Sequence, residues 1–175
     1  DGTMSGASVT SVTPVSAIIY TVTVATGTGS GTLRLDVLDD NTILDLIGNP
    51  LGGPAVNNYL TGELYNIDRT GPTVVSILRA SANPTNAPTV TYIVTFSEPA
   101  TGVNTADFSV TRTGALTNTL VKSVSGSGTT YMVAVSTGVS SGTLRLDLRD
   151  NNTIIDALGN VQGGPGLENY TGGEV

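Results

Sequence analysis

The hexapeptide Gly31-Thr-Leu-Arg-Leu-Asp36 returns unchanged as Gly142-Thr-Leu-Arg-Leu-Asp147. The match holds at a constant offset of 111 residues from Gly31–Leu64 to Gly142–Val175, with 20 of 34 pairs identical. The identities include Asp39/Asp150, Asp45/Asp156, Gly48-Asn49/Gly159-Asn160 and Asn58-Tyr59/Asn169-Tyr170. A long fixed period marks a tandem array of domain-sized units. A chain of 175 residues holds one such unit and about 64 residues of another. The expected domains are therefore residues 1–69, the later part of one repeat without its first strands, and residues 70–175, a nearly complete repeat without its last strand.

Composition narrows the chemistry. There are 22 Gly, about a quarter of the chain is Thr or Ser, and charged residues are 12%. Val, Ile and Leu still occur in alternating runs, which argues against disorder. His, Cys and Trp are absent, so imidazole, thiolate and disulfide chemistry are excluded. The net charge is −7 with a single lysine, Lys122, so the basic stripe of a nucleic-acid binder is missing. No apolar run has membrane-spanning length and no leader peptide is visible, so no membrane insertion is expected of this segment.

The alternation predicts strands throughout. Residues 1–7 read as a loop. Val9–Val12 matches Val121–Val124 at an offset of 112, and Ile18–Val24 matches Thr130–Val135. Leu33 and Leu35 point one way and Thr32, Arg34 and Asp36 the other, with the strand carried on to Leu38. Arg and Asp two apart on an outer face form a surface ion pair, which contributes roughly 0–1 kcal/mol. Ile43–Ile47 is a short apolar piece closed by Gly48-Asn49. The boundary Arg69-Thr-Gly-Pro72 is short, and Thr73–Leu78 opens the second unit. Val90, Tyr92, Val94 and Phe96 alternate in its second strand, which Glu98-Pro99 ends. Asp107–Val110 and Thr119–Val124 follow. About seven short strands per unit, without a helix, form the pattern of an all-β sandwich.

Phe96-Ser-Glu-Pro99, Gly102-Val103 with Asp107-Phe108, Asp156-Ala-Leu-Gly-Asn160 and Ile67-Asp-Arg-Thr-Gly-Pro72 resemble motifs of the bacterial Ig-like repeats of large extracellular proteins. Those repeats are of the surface-layer and adhesin type. Ala100 departs from the Val usual in that family. The resemblance covers nearly the whole chain. It implies tandem Ig-like β-sandwich repeats of about 111 residues, an extracellular or cell-surface location and a scaffold role.

Metal binding is the sharpest chemical candidate. Asp36, Asp39, Asp40 and Asp45 cluster in the first copy, and Asp147, Asp150 and Asp156 recur in the second. Calcium needs six to eight oxygens. The spacing is not that of an EF-hand, and Asp and Asn also cap turns through their own backbone. Asp68, Glu98 and Asp107 form a second candidate set, beside the Pro72 boundary. The candidate calcium ligands are therefore Asp36, Asp39, Asp68, Glu98, Asp107, Asp147 and Asp150. Asn151 and Asn169 head N-x-Thr glycosylation sequons that the first copy lacks. Catalysis is disfavoured: Ser and Thr are plentiful, but a nucleophile has no His or Cys beside it and only one Lys.

Three functions compete. A structural repeat of a long surface protein, partnered by neighbouring repeats or identical chains, fits the close copying of the loops. An adhesin module binding a surface glycan or protein calls for loops that differ between copies. A self-assembling filament subunit would have its incomplete sandwiches completed by strands of neighbouring chains.

Overall fold

The computed structural model describes residues 3–175. Asp1 and Gly2, the start of the expected loop, lie outside the described residues. The fold is all-β and antiparallel, with nine strands and one 3₁₀ turn among the described residues. The strands are β1 (Ser8–Ser16), β2 (Ile19–Ala25), β3 (Gly31–Arg34), β4 (Leu64–Ile67), β5 (Val74–Arg79), β6 (Thr89–Ala100), β7 (Phe108–Arg112), β8 (Leu120–Ser136) and β9 (Leu144–Leu148). The 3₁₀ turn is Thr105–Asp107. The chain divides into two compact units, Asp1–Arg69 and Thr70–Val175. No helix among the described residues is long and apolar enough to cross a membrane.

In the second unit β5, β6 and β8 form one sheet and β7 and β9 another. Every second residue of a strand points to the same face. Tyr92, Val94 and Phe96 of β6 thus point inward with Ile77 of β5 and Tyr131, Val133 and Val135 of β8. Phe108, Leu146 and Leu148 of the other sheet, and Ile154 after it, close the same core. Phe96 and Tyr131 meet edge to face, centroids 5.9 Å apart. That geometry aligns the positive ring edge with the negative face. Two phenols at the core margin add hydrogen bonds. Tyr131 donates to the Ala100 carbonyl at 2.7 Å and Tyr92 to the Leu144 carbonyl at 3.1 Å.

Two details depart from the sequence expectation in this unit. β6 runs through Glu98-Pro99 to Ala100 instead of ending there. The register with β8 breaks between Thr95 and Ala100, so Pro99 sits where no ladder N–H is required. β8 is continuous from Leu120 to Ser136, although the chain turns sharply within it. Gly126 has φ +129°, and a Cβ there would lie 2.5 Å from the Thr130 carbonyl oxygen. Only glycine permits that approach.

The first unit contains the hairpin β1–β2 and the pair β3–β4. Its N-terminal residues are paired rather than looped out: Thr3 N donates to Ser30 O, and Ser5 bridges Thr28. The same bonds join Ala115 to Ser141 and Thr117 to Val139 in the second unit. Structural equivalence therefore reaches back to Thr3/Ala115. Among the described residues the first unit has no counterpart of strands β5, β6 and β7. The consequence is visible at repeated core positions. Tyr131, Leu146 and Ile154 are 7%, 0% and 1% exposed, whereas their counterparts Tyr20, Leu35 and Ile43 are 60%, 41% and 49% exposed. β3 also stops at Arg34 rather than Leu38. Its counterpart β9 pairs residue by residue with β7 as far as Leu148, and no equivalent of β7 lies beside β3 among the described residues. Ile43–Ile47 forms only an isolated bridge, Leu44 to Pro50.

Identical leucines in identical local sequence should thus differ in worth. Leu146→Ala is expected to cost about 2–5 kcal/mol, the range for a fully buried aliphatic side chain. Leu35→Ala is expected to cost less than about 1 kcal/mol. Denaturant unfolding followed separately for each unit checks the pair.

Candidate functional site

The repeated acidic residues are assembled from the turn upward. Asp156 Oδ1 accepts from the backbone N–H groups of Leu158 and Asn160, both at 2.8 Å. Its Oδ2 accepts from Asn160 Nδ2 at 2.7 Å, and Asp156 N donates back to Asn160 O. Asp45 repeats the pattern with Ile47 and Asn49. The D-x-x-G-N element is therefore a closed carboxylate-capped turn. Gly159 at φ +86° and Gly48 at φ +90° supply the left-handed step.

Asp39 and Asp150 hold the loop that precedes it. Asp150 Oδ1 takes Asn152 N and its Oδ2 takes Glu168 N, while Asp150 N donates to Asn169 Oδ1. Asp39 does the same with Asn41, Asn57 and Asn58. The clamp joins residues 18 and 19 apart in sequence and fixes the Gly-Gly-Pro excursion against the strand end. Asn41 and Asn152 both stand at positive φ, 63° and 60°, which Asn tolerates better than other side chains.

Among the sequence-selected ligands, Asp36 and Asp147 face their neighbouring arginines. Arg34 grips Asp36 at 2.7 and 3.0 Å. Arg145 reaches Asp147 with Nε at 2.7 Å and a second nitrogen at 3.2 Å. The Arg145–Asp147 pair is not the surface pair expected from sequence. Asp147 is buried, because Thr111 of β7 covers it and donates to its Oδ2 at 2.5 Å. Hydrogen bonding to the carboxylate raises the pKa of both arginines.

Asp107 is fully buried. Its Oδ2 accepts from Asn104 N and closes a capping box on the 3₁₀ turn, and its Oδ1 accepts from Thr153 at 3.0 Å. Its carbonyl takes Arg149 N. Asp68 accepts from Ser30 Oγ at 3.4 Å in the first unit. Glu98 lies on β6 and is half-buried. The neighbour that the second unit brings to it is Asp156, with carboxylate oxygens within 4.8 Å of one another. Asn151 and Asn169 are both exposed. Asn151 accepts from Thr153 N and Oγ1, and Asn169 holds Asp150 N through its Oδ1.

A cleft of about 490 Å³ opens in the second unit between residues 81–87 and 137–144. Its lining holds one charged side chain, Arg79, which donates to the Val175 carbonyl and pairs with Glu174 at 3.5 Å. The cleft has the volume of a small-molecule site, but its lining offers no acid–base pair. Sequence reasoning missed this cleft, because it is formed by two loops separated by about fifty residues. The prolines of the Ala80–Pro88 loop are the sole local signal.

The acid response of these turns has a definite sign. In Asp156 burial raises the pKa, but the Asn160 amide and the N–H groups of Asn160, Leu158 and Gly159 outweigh it, and the net shift is downward. Asp45 is lowered by the Asn49 side chain first and then by backbone N–H groups. Asp40 is lowered mainly by the Thr42 hydroxyl. A carboxyl lowered on folding stabilises fully above its unfolded pKa, about 4, and loses that contribution as pH falls through the folded value. The unfolding midpoint should be flat from about pH 5 to 8 and drop in acid. Asp156→Ala should be less stable than the parent at neutral pH, with the gap narrowing as acid protonates Asp156 in the parent. Urea unfolding across pH reads both.

Comparison with protein-family models, with curated proteins and with solved structures gives no match for this chain.

Proposed function

We propose that this chain is a non-enzymatic structural module: Ig-like β-sandwich repeats in tandem, within a long extracellular or cell-surface protein. The observation that carries the reading is the fate of the repeated polar residues. Asp39 and Asp150, and Asp45 and Asp156, make the same bonds to the same loop positions in both units. The most faithfully copied side chains hold loops in shape. Their carboxylate oxygens accept from backbone or amide N–H groups of their own loops. A recognition surface built on these loops would instead leave polar side chains free and would vary them between copies.

Other features agree. His and Cys are absent, and Lys122 is the single lysine, so general-base and nucleophile activation lack their usual partners. Low charge, abundant Thr and Ser and an acidic net balance suit a hydrated module outside the cell. The Ig-like assignment rests on the order of the short motifs and on two antiparallel sheets sharing one core. The fold hosts many roles, so the scaffold reading rests on the clamps and not on the fold alone.

The denatured mass of the polypeptide from its native source tests the proposal. A mass well above 17.7 kDa, with limited proteolysis cutting at intervals of one repeat, is the expected result. A native polypeptide near 17.7 kDa would overturn the tandem scaffold.

A further inference from the structure

The first unit presents a core face with nothing over it among the described residues. Its two strand pairs line an open cleft with Val22, Val24, Leu33, Leu35 and Val37. The second unit shows what belongs on such a face. There β6 pairs with the Thr130–Ser136 arm of β8, and β7 pairs with β9. In the first unit the equivalent edge of β2 has no partner strand among the described residues, since β2 pairs with β1 alone.

Apolar surface by itself would accept many partners, but the polar groups narrow the choice. Among the hydrogen bonds that join β5–β7 and the turns after them to the repeated portion of the second unit, four involve groups whose counterparts are open in the first unit. Tyr131 donates to Ala100 O, Thr111 to Asp147, Thr153 to Asp107, and Arg149 N to Asp107 O. Burial raises the pKa of the Tyr131 phenol, so it remains a donor to higher pH. The counterparts in the first unit are Tyr20, Asp36, Thr42 and Leu38. None of these four makes the corresponding contact among the described residues. The face thus retains a donor phenol, an acceptor carboxylate and a donor N–H in the positions that β6, β7 and the 3₁₀ turn would satisfy, while the Thr42 hydroxyl donates to Asp40.

We propose that this face of the first unit is the seat of a further set of strands like β5–β7, which extend both of its strand pairs into sheets. The occupant is a polypeptide segment with the chemistry of Thr73–Arg112. It carries an alternating apolar strand like β6 to pair with β2, a strand like β7 to pair alongside Leu33–Val37, the counterpart of Leu144–Leu148, and a buried carboxylate in the place of Asp107. A second copy of the whole chain is a poorer fit. Its own strands β5–β7 already complete its second unit, and two first-unit faces brought together would supply neither the carboxylate nor the strand edges. The proposal rests on the repeat-module reading and names the partner of its first unit. Native mass tests that reading without testing this one.

The test exploits the absence of cysteine from the chain. Ile43→Cys places a thiol on the open face, where the native side chain is 49% exposed. Val133→Cys places one in the closed core, where the native side chain is 0% exposed. Each is made in the full chain and in a fusion carrying a second copy of residues 70–114 ahead of Thr3. Thiol-reagent labelling of the Ile43→Cys variant should slow about tenfold or more in the fusion, because the site must open before it reacts. The Val133→Cys variant should stay protected in both contexts, which shows that the second unit is folded. A second fusion places the same residues after Val175 through a Gly/Ser linker, in case the first disturbs folding. If the thiol at position 43 labels at the parental rate in both fusions, the proposal is overturned. It is also overturned if that thiol in the unfused chain is protected at high protein concentration and released on dilution, because a second copy would then be the occupant.

Discussion

A β-strand with alternating apolar residues has one face that water disfavours, and that face needs a second layer. The rest of this structure depends on that requirement. In the second unit β5 and β6 extend the sheet of β8, and β7 pairs with β9 in the other sheet, so the two sheets cover each other, and Val94, Val133, Val135, Leu146 and Leu148 are lost to solvent altogether. The same alternation in the first unit lies open. Burial here depends on the strands that complete both sheets, because the local sequence around Leu35 and Leu146 is the same. Strand extent follows as well. β9 reaches Leu148 because β7 runs beside it, and β3 is only four residues long.

The turn clamps behave in the opposite way. Each is built from residues within about twenty positions of one another, and each is complete whether or not strands like β5–β7 are present. The Asp39 clamp in the open unit has the same bonds as the Asp150 clamp in the closed one. Local hydrogen bonding and long-range burial are thus separable in this fold, and the repeat exposes the separation within one chain. The scaffold role we propose would benefit from this division. Loops keep their shape by local means, and cohesion comes from the core.

Legibility in the sequence divides along the same line. The alternation of Val90, Tyr92, Val94 and Phe96 and of Tyr131, Val133 and Val135 carries the strands and their inward faces. The D-x-x-G-N spacing carries the turns, and Asp and Asn as turn-cappers are what the geometry shows at Asp39, Asp45, Asp150 and Asp156. Features that depend on a distant partner are not readable. The continuation of β6 through Pro99 depends on a register break with β8. The burial of Asp147 depends on Thr111, 36 residues away. The role of Asp107 as the anchor for Thr153 and Arg149 depends on loops brought together from separate stretches. The proximity of Asp156 to Glu98, and the cleft between residues 81–87 and 137–144, have the same origin. Periodicity marks which face of a strand is apolar but not what stands opposite it.

Residue-resolved hydrogen exchange under native conditions tests the central claim most directly, because it reads paired positions in one sample. Amides of Val133, Val135, Leu146 and Leu148 should exchange only with cooperative opening of the second unit. Those of their counterparts Val22, Val24, Leu35 and Val37 should exchange faster by orders of magnitude. Equal protection of the two sets would contradict the account, because the repeated strands would then be stabilised without the strands that complete their sheets in the second unit.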